Sequence, residues 1–449
     1  MKYHARPYQR TAERFLLDNH RAGLLIDMGL GKTSVTATLL ALLAFLEEDM
    51  PALVVAPKRV AEATWPTEIA KWDHTEHLRV ELLTGSKADR TAAVQRPADL
   101  YVINFELLKW LMEHHGKRWP YRTLVIDEAT RVKNPTALAT RLLRRVCRHV
   151  NRMIWLTGTG APNGLQDLWA PMYLLDQGER LGSGIGKFRQ RYCEPCGFEL
   201  RQWCMRKGAE DDIYQRIGDI VLSMRSEDYL DLPPVIENTL QVDLPEDARA
   251  QYKQMEDEFF LELEAESSGA PGATIEAVSA GAKAMKLRQL ASGFVFQDSE
   301  VWHEVHRAKL DALIEAVDGL RGQPCLVAYY FKPDLERIQA AIPNAKRLGG
   351  ADDITAWNRG EIPIALVNAA SHGHGLNLQD GGHHIIFYSL DWNLDNHLQL
   401  RKRLHRSGQK HTVIEHYIEA RNTVDGLIRK RLTTKRSVQD LLYEALKAR

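Results

Sequence analysis

A glycine-bearing turn followed by Lys32 and Thr33 is the strongest chemical signal in the chain. The apolar residues 24–26 lead into the turn, and the helix-forming residues 34–46 follow it. In this layout, backbone N–H groups at a helix N-terminus face a triphosphate. The ammonium of Lys32 can reach the β- and γ-phosphates, and the hydroxyl of Thr33 can ligate Mg²⁺. The pattern predicts an ATP-binding phosphate loop made of Met28, Gly29, Leu30, Gly31, Lys32 and Thr33.

Two adjacent carboxylates, Asp127 and Glu128, end a second apolar run at residues 123–126. At the carboxyl edge of a parallel sheet they would face the phosphate loop. Asp127 could then hold Mg²⁺, and Glu128 could polarise the water that attacks the γ-phosphate. A capped strand end with solvated acids is the alternative for this pair. A glycine turn without a ligand is the alternative for the loop, because Ile26 stands where the full pattern has glycine.

Short apolar runs alternate with helical patterns in the first and last thirds of the chain. We predict buried parallel strands at residues 24–27, 52–56, 100–104, 123–127 and 153–156, and again at 325–330, 364–368, 384–388 and 413–418. Their spacing leaves room for crossover helices, so the expected fold class is α/β with two doubly wound parallel-sheet lobes. The predicted domains are lobe one at residues 1–175, a mainly helical insertion at 176–303 and lobe two at 304–449.

The composition is ordinary for a soluble globular protein, with 44% hydrophobic and 26% charged residues in a chain of 449. The 59 basic and 59 acidic residues balance, so global charge does not indicate a nucleic-acid partner. The longest apolar stretch, residues 35–46, is too short to span a bilayer, and we expect a cytoplasmic monomer without a membrane partner. Cys193, Cys196 and Cys204 have a spacing that suggests zinc, but a fourth ligand is missing nearby. Reduced thiols are therefore the expectation.

Nine motifs follow one another in an order that is typical of one family. They are Arg6-Pro7-Tyr8-Gln9, residues 28–33, Val55-Ala56-Pro57, Asp127-Glu128-Ala129-Thr130, Leu156-Thr157-Gly158-Thr159, Asp231-Leu232-Pro233-Pro234, residues 373–378, Trp392-Asn393 and residues 399–409. With these motifs the chain resembles the Swi/Snf ATPases of helicase superfamily two, and more closely the compact versions of bacteriophages and prophages. The resemblance covers nearly the whole chain. It implies two RecA-like lobes with ATP in the cleft between them.

The resemblance also implies roles for residues beside the phosphate loop. Tyr8 and Gln9 resemble the adenine-reading element, and an amide side chain can both donate to and accept from an adenine edge. Alternatively, the two residues could simply start a helix. Thr157 and Thr159 resemble the element that couples the γ-phosphate to lobe movement, although Gly160 stands where the family usually has proline.

The basic run at residues 399–409 resembles the family's arginine-finger segment. Arg403 and Arg406 match the fingers, whose planar guanidinium groups can each meet two phosphoryl oxygens as charge develops there. Gln399 is expected to help order the same element. The alternative for this run is a solvated helix face. With the fingers, the predicted catalytic residues are Lys32, Glu128, Arg403 and Arg406.

The family's DNA-tracking elements match two further groups of residues. The candidates are Lys58, Arg59, Thr84, Gly85, Asn104, Ser371, His372, Gly373 and Asn377. Small residues permit a close approach to phosphates, and basic side chains neutralise them. No candidate is arranged for base readout. We therefore expect double-stranded DNA as the partner, contacted mostly through its backbone.

The implied function is an ATP- and Mg²⁺-dependent, DNA-stimulated motor that translocates on double-stranded DNA and hydrolyses ATP to ADP and phosphate. One alternative is a strand-separating or annealing helicase in phage DNA replication, recombination or repair. Another is a non-catalytic clamp that binds ATP and nucleic acid without turnover. RNA as the track is a further alternative.

Overall fold

The computed structural model of the protein describes residues 1–158, 165–196, 202–267, 285–297, 301–368, 377–430 and 432. These residues form two compact units, one within Met1–Asp231 and the other within Leu232–Thr434. Each unit contains a parallel sheet with flanking helices. The predicted α/β fold with two parallel-sheet lobes is therefore confirmed. Within the described ranges, no helix combines the length and hydropathy that crossing a bilayer requires.

The first unit is built on a seven-stranded sheet in which every neighbouring pair is parallel. Its strands are β1 (Arg21–Ile26), β2 (Ala52–Ala56), β3 (Val80–Leu82), β4 (Leu100–Asn104), β5 (Thr123–Asp127), β6 (Arg152–Thr157) and β9 (Val221–Met224). The order across the sheet is β3-β4-β2-β5-β6-β1-β9. An antiparallel hairpin joins β7 (Cys193–Cys196) and β8 (Gln202–Met205).

Helices cover this sheet and complete the first unit. They are α1 (Pro7–Asp18), α2 (Lys32–Phe45), α3 (Trp65–Lys71), α4 (Lys87–Gln95), α5 (Leu108–His115), α6 (Leu138–Val146), α7 (Trp169–Asp176), α8 (Ile185–Tyr192), α9 (Ala209–Ile217) and α10 (Ser226–Tyr229). With both faces covered, β2 and β4 are buried at every position. Such strands appear in the sequence as continuous apolar runs, which is why the five strands predicted here are all present.

The second unit contains a six-stranded parallel sheet and a separate antiparallel pair. The sheet order is β10-β17-β16-β13-β15-β14, with β10 (Val235–Val242), β13 (Cys325–Tyr329), β14 (Ala345–Arg347), β15 (Ile364–Asn368), β16 (His384–Phe387) and β17 (Val413–Ala420). The antiparallel pair is β11 (Phe294–Phe296) and β12 (Trp302–Glu304). The helices are α11 (Glu246–Ser267), α12 (Ala308–Gly319), α13 (Lys332–Ala341), α14 (Ala351–Asn358) and α15 (Leu394–Leu404), and residues 285–292 and 424–430 are also helical.

The division between the units differs from the predicted domain boundaries. Among the described residues of 176–303, β9 belongs to the first sheet and β10 to the second, and the two units divide between Asp231 and Leu232. Two features hid these strands in the sequence. β9 has four residues, and β10 is an edge strand whose residues 236–239 are exposed. Neither gives the apolar run that marks a strand buried on both faces.

One expectation about the cysteines is wrong. Cys204 is disulfide-bonded, whereas Cys193 is a buried free thiol. The β7–β8 hairpin sets Cys204 opposite Glu194 on the neighbouring strand. That antiparallel pairing was not apparent from the Cys-x-x-Cys spacing.

Packed histidines predict an acid-sensitive second unit. The ring of His383 packs at a tilt against the rings of His384 and His411, and the ring of His384 also stacks on that of His416. Burial, together with the neighbouring His383 and His416, lowers the pKa of His384 to about 4. Since the unfolded chain would bind this proton near pH 6.5, stability is full above that pH and is lost as pH falls toward 4. The expected loss is about 2–3 kcal/mol.

Urea denaturation of the whole protein at several pH values between 7.5 and 4.5 tests this expectation. His384→Gln removes the titrating ring and should flatten the pH dependence of the second unit's unfolding transition. Equal slopes in the wild type and this variant would contradict the assignment.

Candidate functional site

The carboxyl edge of the first sheet gathers most of the predicted site residues of that unit. Since all seven strands run in parallel, their C-terminal ends lie along one edge. The phosphate loop follows β1, Asp127 ends β5 and Thr157 ends β6, and these three strands are neighbours in the sheet. Residues 84–85, Asn104 and residues 58–59 follow or end β3, β4 and β2, on the other side of β5. One half of the edge therefore carries the nucleotide candidates and the other half carries the DNA candidates.

The phosphate loop is a tight turn between β1 and α2. Gly29 and Gly31 have φ values of +89° and +85°, a left-handed conformation that glycine adopts without strain. Lys32 begins α2, and its ammonium donates to the carbonyl of Ile26 at 2.6 Å. The carboxylate of Asp27 accepts the backbone N–H and the hydroxyl of Ser226 in α10 at 3.1 and 3.0 Å, and its backbone N–H donates to the carbonyl of Met224 in β9 at 3.0 Å.

Gln9 lies directly against the phosphate loop. Its side-chain oxygen accepts the backbone N–H of Arg6 at 2.9 Å, and its amide nitrogen donates to the carbonyl of Leu30 at 3.3 Å. A Cβ on Gly31 would lie 2.5 Å from that nitrogen and displace the Gln9 side chain, while the φ of +85° is the reason that glycine is favoured there. Tyr8 is buried, with its ring centroid 5.1 Å from that of Tyr229. Both residues do start helix α1, yet Gln9 also reaches the loop.

Asp127 is a partly exposed carboxylate held by a buried indole. The Nε1 of Trp65 donates to its Oδ2 at 2.9 Å. Burial, and after it the negative charge of Glu128, raise the pKa of Asp127 to about 6, although the hydrogen bond from Trp65 and the charge of Lys32 oppose this shift. Lys32 is thus close enough to act electrostatically on this carboxylate.

Glu128 has an unusual backbone conformation, with φ +69° and ψ +67°. For a residue with a side chain this left-handed conformation costs about 1–2 kcal/mol, and strain of this kind concentrates at functional sites. Its carboxylate accepts hydroxyl hydrogen bonds from Thr130 at 2.6 Å and from Thr157 at 3.4 Å. The structure therefore joins the predicted water-activating residue to the predicted coupling residue.

Gly158 follows β6 and lies next to the phosphate loop in the nucleotide half of the edge. A Cβ at this position would lie 3.3 Å from Cγ of Met28 and 3.6 Å from Nζ of Lys32. The segment after β6 thus lies against the phosphate loop. The other predicted coupling residue of this segment, Thr159, lies outside the described residues.

The donor set fits a magnesium nucleoside triphosphate. The loop offers backbone N–H groups at the N-terminus of α2 and the ammonium of Lys32, which suit phosphate oxygens. Thr33 and Asp127 offer the oxygen ligands that Mg²⁺ prefers, and these two residues would hold it. Glycine at 31 and at 158 leaves room where a side chain would meet Gln9 or Lys32.

The DNA half of the edge is polar and carries charged side chains. Lys58, Arg59 and Gly85 are exposed. Asn104 is buried and donates to Glu106 at 2.7 Å, and Glu106 also pairs with Arg131 at 3.0 Å. The charges of Arg131 and Lys58 help to lower the pKa of Glu106, so Lys58 lies near this cluster.

The arginine segment of the second unit spans α15 and the turn after it. Gln399 and Arg403 are buried, and Arg406 donates to the side chain of Asn377. The backbone N–H of Leu378 bonds the carbonyl of Arg403 at 3.3 Å. The structure therefore brings both predicted fingers next to Asn377, the described end of the predicted DNA segment. Ser371, His372 and Gly373 lie outside the described residues.

Buried polar contacts position the arginine segment. Arg401 forms ion pairs with Glu415 at 2.6 Å and Glu237 at 3.1 Å, and Glu415 is fully buried. The amide nitrogen of Gln409 donates to the carbonyls of Gln379, Gly382 and Leu404, and its oxygen accepts two backbone N–H groups. Sequence reasoning used Gln409 as part of a motif and missed its role as an anchor.

Comparison with known proteins gives the family. The SNF2-related domain family matches residues 8–290. Putative protein p41 of Acyrthosiphon pisum secondary endosymbiont phage 1 is 39% identical, over 98% of each chain. The ISWI chromatin-remodeling complex ATPase ISW1 of Saccharomyces cerevisiae is 26% identical, over 98% of this chain and 40% of its own. The DNA annealing helicase and endonuclease ZRANB3 of Mus musculus is 25% identical, over 96% of this chain and 40% of its own.

The chain thus spans about 40% of the length of the two eukaryotic relatives and nearly all of the phage protein. The motif order, the two parallel sheets and the extent of the family match agree with one another. The chain therefore belongs to the SNF2-related family, the Swi/Snf family that its motifs resemble.

Proposed function

We propose that the protein is a DNA-dependent ATPase that uses ATP hydrolysis to move along double-stranded DNA. The observation that carries this proposal is the gathering of Lys32, Asp127 and Glu128 at one end of a parallel sheet, beside exposed basic residues on the same edge. The name of ISW1 describes an ATPase of a chromatin-remodeling complex, and that of ZRANB3 describes a DNA annealing helicase. Both names support ATP and DNA as the substrate and the partner.

The residues of the nucleotide half divide the work as follows. Lys32 and the loop N–H groups bind the β- and γ-phosphates, and Gln9 with Tyr8 selects the adenine base. Thr33 and Asp127 hold Mg²⁺, which when bound offsets the charge of the phosphate oxygens. Glu128 orients and deprotonates the attacking water, and Thr157 steadies its carboxylate at 3.4 Å.

In the second unit, Arg403 and Arg406 stabilise the charge that develops on the transferred phosphoryl group. Gln399 and Gln409 order the segment that presents them. The proposed DNA contacts are Lys58, Arg59, Thr84, Gly85, Asn104, Ser371, His372, Gly373 and Asn377. These residues contact the backbone without reading sequence. We also propose that the protein acts as a monomer in the cytoplasm of a bacterium or a phage-infected cell.

ATP hydrolysis with and without a linear duplex tests the proposal. The duplex should stimulate hydrolysis strongly at low salt and less as salt rises, because salt weakens phosphate contacts. Lys32→Ala should abolish hydrolysis. A triplex-displacement assay should then show ATP-dependent release of the third strand. The absence of turnover with duplex, single-stranded DNA or RNA would instead support an ATP-binding clamp.

A strand-separating or annealing helicase is the second candidate, and the similarity to the DNA annealing helicase ZRANB3 favours it. Forked DNA distinguishes the two functions. Release of a strand from the fork, or pairing of two complementary strands in the presence of ATP, would favour the helicase. Third-strand release without either reaction would favour translocation.

A further inference from the structure

We infer that Trp65 is a positioning residue through which duplex DNA bound at Lys58 and Arg59 acts on Asp127. The inference rests on the proposed function and adds a route by which DNA could stimulate ATP hydrolysis. The whole route lies within the first unit.

The first step is the contact between the indole and the carboxylate. Trp65 is completely buried, and its Nε1 donates to Oδ2 of Asp127 at 2.9 Å. Among the described residues, no other side chain donates a hydrogen bond to Asp127. An indole N–H can only donate, and a carboxylate can only accept. This hydrogen bond therefore restricts the orientation of the Asp127 carboxylate.

The second step is the short path from the basic pair to the indole. Arg59 is followed by a π-helical turn, Val60–Thr64, and α3 begins at Trp65. The backbone N–H of Trp65 bonds the carbonyl of Val60 across this turn, and that of Ala61 bonds Pro57 at 2.9 Å. Backbone hydrogen bonds therefore connect the turn to Pro57 on its N-terminal side and to Trp65 on its C-terminal side.

The third step is the conformation of the turn. π-helical turns are rare and often occur at functional sites. This turn packs against β2 and β4, whose carboxyl ends lead into Lys58 and Asn104. Val60 and Ala61 are buried, so the turn cannot move freely in solvent. When duplex DNA binds Lys58 and Arg59, a shift of their backbone is therefore transmitted through the turn to Trp65. The indole of Trp65 then reorients the Asp127 carboxylate.

The chain offers a matched control. Trp155 in β6 is as buried as Trp65, at 1% exposure against 0%, and no residue in the described part of the chain forms a hydrogen bond with its buried indole nitrogen. Trp65→Phe and Trp155→Phe therefore make the same change of size in the same unit. Only the first removes a hydrogen bond.

Two measurements on the full chain test the inference. Titration with a fluorescent ATP analogue, at increasing Mg²⁺ and in EDTA, should show that Trp65→Phe needs about tenfold more Mg²⁺ for tight binding. The stimulation of hydrolysis by a duplex should fall about tenfold in the same variant. Trp155→Phe should match the wild type in both. Unchanged values for Trp65→Phe, or equal losses in Trp155→Phe, would overturn the inference.

Hydrogen exchange on the wild-type protein provides a second readout that needs no substitution. Adding a short duplex without nucleotide should change the protection of amides in residues 60–65. No change there would overturn the inference even if Trp65→Phe fails to fold. A wild type that binds Mg²⁺–ATP but never hydrolyses it would refute the proposed function, while the Mg²⁺ titration would still report on Trp65.

Discussion

Replacing Glu128 with glutamine lowers the rate of ATP hydrolysis by about a thousandfold, within the range expected for loss of a general base, and leaves ATP binding intact. Glutamine has the shape of glutamate and keeps an oxygen that can accept from Thr130 and Thr157. It cannot take a proton from water at neutral pH. Single-turnover hydrolysis measures the rate, and titration with a fluorescent ATP analogue measures the binding.

Glu81→Gln is the matched control for this variant. Glu81 lies in β3, on the DNA half of the first sheet, and pairs with Arg96 at the protein surface. This change should leave hydrolysis near the wild-type rate. If Glu128→Gln hydrolyses ATP within about tenfold of the wild type, Glu128 is not the general base.

Replacing Arg403 with alanine is expected to lower the DNA-stimulated kcat by about a thousandfold or more, as loss of an arginine finger does. The KM for ATP should change far less, because the finger acts on charge that develops during the reaction. Arg403→Lys should recover little, since an ammonium lacks the planar fork of a guanidinium. Steady-state kinetics with saturating duplex measures kcat and KM for both variants.

Arg401 provides the structural comparison, because it lies two residues away in the same helix. Its buried pairing with Glu415 and Glu237 means that Arg401→Ala should destabilise the second unit by about 3–5 kcal/mol. Thermal melts separate this effect from catalysis. An equal loss of kcat in Arg401→Ala, measured on protein that is folded at the assay temperature, would contradict a catalytic role specific to Arg403.

The strands could be predicted from the sequence because parallel strands are buried on both faces. Residues 52–56, 100–104, 123–127 and 364–368 coincide with observed strands. Where only one face is buried or a strand is very short, as in β10 and β9, the apolar run is missing and the prediction failed. For the same reason, no signal in the sequence marks the division of the structure between Asp231 and Leu232.

The nucleotide half of the site could be predicted because its phosphate loop and its carboxylate pair each have a recognisable local sequence pattern. The phosphate loop and the pair Asp127–Glu128 both follow apolar runs. The contacts that hold these groups join distant residues instead. Trp65 is 62 positions from Asp127, and Ser226 is 199 positions from Asp27. Trp65 is completely buried, and no pattern near it in the sequence indicates its hydrogen bond to Asp127.

The basic run of the second unit shows a different limit. Arg401 and Arg403 have the same chemistry, and residues two apart on a helix are separated by about 200° around its axis. Arg401 is consequently an ion-pair partner of Glu415, whereas the side chain of Arg403 is buried on a different side of the helix. The partner Glu415 lies in β17, outside the basic run. The basic run alone therefore could not predict which arginine forms the ion pair.

The position of β9 has a practical consequence for dissecting the protein. A fragment that ended at residue 175 would lack β9. The backbone N–H and C=O groups of β1 that bond to β9 would then be unpaired, and β1 would become an edge strand. Unpaired strand borders of this kind recruit other chains, so such a fragment would tend to precipitate. It would also lack the hydroxyl that steadies Asp27. A soluble fragment that keeps the phosphate loop and its supporting contacts should extend to Asp231.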